Sequence, residues 1–265
     1  MKPSCLNLAL ISAAIAGGSS TTAVARQQLS KLSESGKPLN VVFILSDDHR
    51  YDYMGFVGKV PWLETPAMDR MAREGAWIRN AFVTTSLSSP SRASILTGMY
   101  SHSHKVVDNS APMPAGLTFF PEYLQQVGYQ TGFFGKWHMG NDTGDPQPGF
   151  NHWESFSGQG EYYNPRLNVN GKWIRYADST YVTDLLTTHA IEFMKQQQTS
   201  HKPFMVYLSH KGVHDNFSPA KRHKGCYSGK PLVIPPSFDT SKEKIKALPT
   251  IDPSTGKAAA GKDYY

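Results

Sequence analysis

Cysteine is almost absent from this chain: its 265 residues include two, Cys5 and Cys226. Cys5 falls in a leader expected to be removed, which leaves Cys226 alone. A single thiol cannot close an internal disulfide, so covalent stapling is excluded. The neighbours of Cys226, GCYSGKP, read as a loop rather than as the setting of a catalytic thiol. Long apolar runs are also missing. The one from Leu8 to Ala16 falls well short of the roughly 20 residues a membrane helix needs. No internal repeat is visible. Acidic residues are scarce relative to basic ones, 21 against 27, giving a formal charge of +6 and a pI near 9.1. Much of that excess lies late, in AKRHKG and from Lys242 to Lys262. It suits an anionic substrate and equally a solvated basic face. Neither a nucleic-acid partner nor stable membrane insertion is expected.

What is present begins with a leader. Lys2 supplies a positive start, Leu8 to Ala16 an apolar stretch and Ala23-Val24-Ala25 a cleavage pattern, so residues 1–25 read as a signal peptide. The expectation is a periplasmic or secreted protein. Cys5 precedes the apolar stretch, which is the wrong place for a lipid anchor. Residues 26–38 are polar and read as a linker, and 39–265 as folded chain. LNVVFIL (39–45) predicts a strand buried on both faces, and WIRNAFV (77–83) a second. Between them ETPAMDRMAREG predicts a helix capped by Thr65, opened by Pro66 and ended by Gly75. Pro90 to Leu96 opens a helix that Gly98 stops. FFPEYLQQVG reads as a short helix and TGFFG as a strand. YYNPRLNVNGKWIRY reads as a hairpin turning at Asn170-Gly171. STYVTDLLTTHAIEFMKQQ predicts an amphipathic helix capped at Ser179, and PFMVYLS another buried strand. Strands alternating with helices predict an α/β fold, a mostly parallel sheet with helices on both faces.

Polar residues collect where the predicted strands end. Asp47 and Asp48 follow the first strand, Ser88 to Arg92 the second, Lys136 and His138 the third, and His210, Lys211 and His214 the fourth. Open α/β sheets bind ligands beyond the carboxyl ends of their strands, so the four clusters can converge. Each alone has an ordinary reading. Adjacent aspartates can form a turn and cap, GKWHMG can be a loop around a packed Trp137, and SHKGVH lacks the third ligand a zinc site needs. Together they suit chemistry on a tetrahedral oxyanion ester. A helix start, Arg92, Lys136 and the histidines can cradle anionic oxygens, and the aspartates can hold a hard cation.

SSPSRASILTG resembles the signature of the type I sulfatases, C/S-x-P-S-R-x-x-x-L-T-G, in the alkaline phosphatase-like superfamily. Ser88 takes the first position, and Pro90, Ser91, Arg92, Leu96, Thr97 and Gly98 match. VVFILSDDHR, TPAMDRMAREG, GKWHMG and SHKGVH extend the likeness over roughly residues 39–225. The resemblance implies that Ser88 is oxidised to formylglycine (3-oxoalanine) by a transient radical-type maturating enzyme. One hydroxyl of the hydrated aldehyde then attacks sulfur, and the other expels sulfate and restores the aldehyde. The resemblance also implies one calcium ion held by Asp47, Asp48 and residue 88. Arg92 and Lys136 would steady the deprotonated diol, and His138 would act as general base. His214 would hold sulfate and protonate the leaving oxygen, with His210 and Lys211 as substrate contacts, although a buried structural role suits His210 equally well. SHSHKVVDN and GQGEYYNPRLNVNG are similar to segments of bacterial mucin-desulfating and N-acetylglucosamine-6-sulfatases. They imply a sulfated glycan, a 6-O-sulfated N-acetylhexosamine of mucin or heparan. Family members continue with a helix, a strand ending in an Asp-Asn pair and a later lysine. Residues 39–265 are therefore expected to be the amino-terminal portion of a catalytic domain, with an incomplete sheet and no small carboxyl-terminal domain, inactive alone. Two other readings remain: a phosphatase or phosphonate hydrolase of the same superfamily, and a non-catalytic glycan-binding protein in which Ser88 stays serine.

Overall fold

The structure is a computed structural model that describes residues 38–141, 143–235, 250–251 and 258–259. The leader, most of the linker and the lysines from Lys242 to Lys262 lie outside the described residues. The described residues divide into two compact units, one containing 38–49 and 78–224, the other 50–77 and 225–235.

The larger unit is built on a six-stranded sheet of order β1-β6-β2-β3-β4-β5. Its strands are β1 (Val41–Leu45), β2 (Gln130–Lys136), β3 (His152–Phe156), β4 (Arg166–Val169), β5 (Lys172–Arg175) and β6 (Phe204–Ser209). β1, β6, β2 and β3 run parallel, while β4 and β5 are antiparallel additions at one edge. The expected α/β architecture with a mostly parallel sheet is what forms. β6 is buried throughout, because its residues alternate between two cores. Met205 and Tyr207 join Phe133, Trp137 and Trp153 on one face, where α2 (Ser88–Thr97) contributes Ala93 and Leu96. Phe204, Val206 and Leu208 join Phe134 and Phe156 on the other, covered by Val182, Leu186, Ala190 and Phe193 of α5 (Val182–Thr199). Helices thus lie on both faces. The short α3 (Ser101–His104) and α4 (Phe120–Gln126) complete the first side.

Four expectations need correction. β1 is not buried on both faces: it is an edge strand, and Val42 and Ile44 are 48% and 54% exposed. WIRNAFV is no strand; residues 77–83 are turns and loop, and Phe82 is 89% exposed. Apolar β-branched residues form a strand only where another strand accepts their hydrogen bonds. Ser88 therefore follows a loop. β3 had no clear sequence signal, because HWESF carries a buried glutamate: Glu154 accepts hydrogen bonds from His152 at 2.8 Å and His189 of α5 at 2.7 Å. α5 is capped at Tyr181, not Ser179, whose φ of 62° lies outside the extended region an N-cap adopts. The hairpin turn forms as read, with Asn170 and Gly171 both left-handed, φ 50° and 89°.

The smaller unit holds α1 (Pro66–Glu74), with Thr65 at its N-cap and Gly75 at its C-cap as expected. Asp69 accepts hydrogen bonds from Phe56 N at 2.8 Å and from the Thr65 hydroxyl at 2.7 Å, tying the helix to the preceding turn. No helix among the described residues is long and apolar enough to cross a membrane.

Candidate active site

The parallel register fixes which loops meet. Leu45 and Gly135 both align with Ser209, so β1, β2 and β6 end level with one another. Asp47, Lys136 and the 210–214 segment leave the sheet at the same edge. Backbone bonds clamp them: His210 N donates to Leu45 O, Asp47 N to Gly212 O and Val213 N to Asp47 O, all at 2.8–2.9 Å. Gly135 makes the approach possible. Its φ is 115°, and a Cβ there would sit 1.8 Å from the Ser209 carbonyl oxygen.

A buried charge cluster stands at this edge. Lys136, fully enclosed, donates from Nζ to Asp47 Oδ2, and Arg92 Nη2 reaches the same oxygen at 3.3 Å. Arg92 Nη1 donates to Lys136 O at 2.7 Å and to the Ser209 hydroxyl at 2.6 Å, and that hydroxyl donates to Lys136 O at 2.8 Å. Burial works to raise the Asp47 pKa, but the Lys136 hydrogen bond and the two positive charges outweigh it and hold the carboxyl below its usual range. Lys136 lies below its ordinary value because burial disfavours the ammonium, with Asp47 offsetting part of that.

Ser88 is the first residue of α2, and Arg92 lies one turn further along the same helix face. The arginine thus anchors the serine's helix to the cluster. The preceding Leu87 has no side-chain cap, and Asn109 supplies an acceptor instead, receiving Ser89 N at 2.9 Å. A helix start of this kind favours an anion. The Ser89 hydroxyl donates to His138 O at 2.5 Å and so joins the helix to the loop after β2.

His138 and Asp48 have left-handed backbones, φ 54° and 51°. Non-glycine residues held this way gather at functional sites. Gln159 bridges two site residues: its Oε1 accepts from Lys136 Nζ at 2.5 Å, and its Nε2 lies 3.2 Å from His138 Nε2. Burial first, then the Lys136 and Arg92 charges, push His138 down to about 4, so its imidazole is neutral near pH 7. His214 Nε2 stands 3.4 Å from Asp48 Oδ2, and its Nδ1 lies 2.9 Å from Asp215 O. Lys211 turns elsewhere, donating to Asp215 O at 3.0 Å, with its ammonium 4.9 Å from the Tyr162 ring centroid. His210 is pushed down to about 4 by burial, and its Nδ1 is enclosed without a hydrogen-bond partner among the described residues.

The structure thus gathers Asp47, Arg92, Lys136 and His138, with Ser88 one turn from Arg92, and pairs Asp48 with His214. Lys211 and His210 are not part of that pair: Lys211 turns to Asp215 O and the Tyr162 ring, and His210 is enclosed. Sequence reasoning missed Ser209, Gln159 and Asn109. Ser209 was within reach, as the last residue of a recognised strand. Gln159 follows β3, so it was hidden with that strand. Asn109 lies far from any strand end and gave no signal.

Residues 39–232 match the family described as Sulfatase. The chain belongs to the sulfatase family. It is 38% identical over 218 residues to an N-acetylglucosamine-6-O-sulfatase of Bacteroides thetaiotaomicron, covering 81% of this chain and 38% of that protein. It is 30% identical over 209 residues to the N-acetylglucosamine-6-sulfatase of Capra hircus, covering 71% of this chain and 36% of that one. Among solved structures it resembles a protein in complex with its substrate D-glucosamine-2-N, 6-O-disulfate, at 39% identity and a TM-score of 0.69 over 76% of this chain and 40% of that one. It shares a fold with the phosphonate monoester hydrolase of Agrobacterium radiobacter, at 22% identity and a TM-score of 0.52 over 73% of this chain and 45% of that one. The chain therefore spans less than half the length of each of these relatives.

Proposed function

We propose that this sulfatase chain carries the nucleophile-bearing part of a sulfuric ester hydrolase that removes O-sulfate from a glycan. The observation that carries the reading is the arrangement around Arg92. Its side chain fixes the Ser88 helix to Asp47 and to the ends of β2 and β6, so the signature serine stands beside a buried cation cluster. Cations held in a low-dielectric setting stabilise the charge that develops on a transferring oxyanion. The names of the relatives support a 6-O-sulfated N-acetylglucosamine unit as the substrate.

The donors fit a hard divalent cation in kind. Asp47, Asp48 and residue 88 offer oxygens, as calcium prefers. They fall short in number of the six to eight that calcium takes. No larger cluster of metal-ligating side chains occurs among the described residues. Bound there, calcium would polarise the ester and favour a deprotonated oxygen. Ser88 matured to formylglycine by a radical-type enzyme would supply the second hydroxyl that permits turnover.

The chain's own residues have separable tasks. Arg92 and Lys136 hold negative charge at residue 88 while Asp47 keeps both cations in place. His138, neutral and backed by Gln159, accepts a proton. His214, positioned by Asp48, faces the leaving oxygen as donor and sulfate contact, with His210 and Lys211 supporting its loop. Export fits this role, since residues 1–25 read as a leader and sulfated glycans are met outside the cytoplasm.

Mass spectrometry of the tryptic peptide Asn80–Arg92, after co-expression with the maturating enzyme, tests the nucleophile. A peptide lighter by one pair of hydrogen atoms and reactive with hydrazine is expected. An unmodified peptide would sink the formylglycine assignment.

A further inference from the structure

The loop that brings Gln159 to Lys136 and His138 also lines a cavity of about 550 Å³ that no catalytic task uses. Ser157, Gly160 and Glu161 come from this loop, and Arg166, Trp173 and Arg175 from the β4–β5 hairpin. The hairpin register places Arg166 directly opposite Arg175, and Trp173 two positions along from Arg175 on the same face. Like charges placed opposite one another weaken a strand pair, so two facing arginines are an expensive choice for a surface hairpin.

The details suit a ligand. Arg175 donates to Glu161 at 2.5 Å and to Asn164 O at 2.9 Å, which fixes its guanidinium. Arg166 lies 4.7 Å from the Trp173 ring centroid. The lining residues thus bring two cations against one carboxylate, leaving an excess positive charge beside an indole that is 36% exposed. The loop is also held firmly. Gly160 has φ 64°, and a Cβ there would meet the Phe156 ring at 2.5 Å. An aromatic face, two guanidinium groups and a carboxylate around a space of this size match a sugar unit bearing negative charge. The indole takes the apolar face of the ring, and the arginines take its anionic group.

We propose that this cavity is a second carbohydrate subsite, binding an anionic sugar unit of the same glycan whose sulfate ester reaches Ser88. The proposal rests on the sulfated-glycan reading above. One loop faces both places, so occupation of the subsite holds Gln159, and through it Lys136 and His138, in position. The anionic group is a sulfate or a uronate carboxylate.

Calorimetric titration of the full 265-residue chain tests it. The probes are a heparin-derived tetrasaccharide, its desulfated form and its carboxyl-reduced form. Trp173→Ala and Arg166→Ala should each weaken tetrasaccharide binding about tenfold or more, and Trp173→Phe should restore most of the loss. Lys195→Ala, an exposed position on α5 outside the cavity, should leave the affinity unchanged. Whichever modified probe binds more weakly identifies the group the arginines read. Absence of tetrasaccharide binding overturns the subsite. So does equal binding of all three probes, or wild-type affinity in both cavity variants, the pattern expected of loose attraction to the basic surface. A failure here leaves the sulfatase reading intact, because that reading stands on the mass of the Asn80–Arg92 peptide.

Discussion

At the scale of single residues, the site is organised by one carboxylate. Asp47 Oδ2 meets both Lys136 and Arg92, and all three side chains are at most 5% exposed. Two enclosed cations without their shared anion would strand charge in a medium that solvates it poorly. Asp47→Asn is expected to cost about 3–5 kcal/mol, read as a lowered denaturant midpoint. Lys136→Met should cost less, because Asp47 keeps Arg92. The double variant should lose less than the two singles together, since removing both partners leaves one fewer unpaired charge. Equal losses for the two single variants, adding in the double, would show that Asp47 is not the hub. Residues of this kind were legible beforehand because charged side chains after apolar strands are conspicuous. Gln159 was not, because an uncharged polar residue between two glycines looks like any loop.

At the scale of elements, strand spacing does the positioning. β2 and β6 approach closely where Gly135 faces Ser209, and this pair carries Lys136 on one side and the Arg92 contact on the other. Any side chain at 135 must displace the β6 backbone. Gly135→Ala is expected to cost about 4 kcal/mol or more, since both the space and the positive φ are refused. A thermal melt followed by circular dichroism reads this, and a variant melting like the wild type would show that the sheet relaxes around the added methyl. Of the strands found from sequence, β1, β2 and β6 are short apolar runs bounded by turn residues, and β4 and β5 were marked by the Asn170-Gly171 turn between them. The two errors in placing strands share a cause. WIRNAFV has the composition of a strand but joins no ladder among the described residues, whereas β3 pairs well but hides its core residues around Glu154. Composition reports what a segment can bury, while pairing depends on what lies beside it.

At the scale of the whole molecule, the two sides of the sheet are unequally covered at β1. Phe43 and Leu45 point into the core shared with Phe133 and Trp137. Val42 and Ile44 point the other way, aligned with Val206 and Leu208, and stay largely exposed where those β6 residues are buried. With Leu39 and Val41 also exposed, β1 presents an apolar face, and among the described residues it pairs on one side only, with β6. Such an edge is a template for self-pairing. The 265-residue chain is therefore expected to associate as concentration rises, which sedimentation velocity would show. Val42→Lys with Ile44→Lys should shift it toward monomer without lowering its melting temperature, since neither side chain is in a core here. Phe43→Lys should instead lower stability by about 1–3 kcal/mol, because a part-buried ring packed against the core is replaced by a charged side chain. A double lysine variant that melts early would mean that the second face of β1 is covered after all, and that the asymmetry is not a property of the chain in solution.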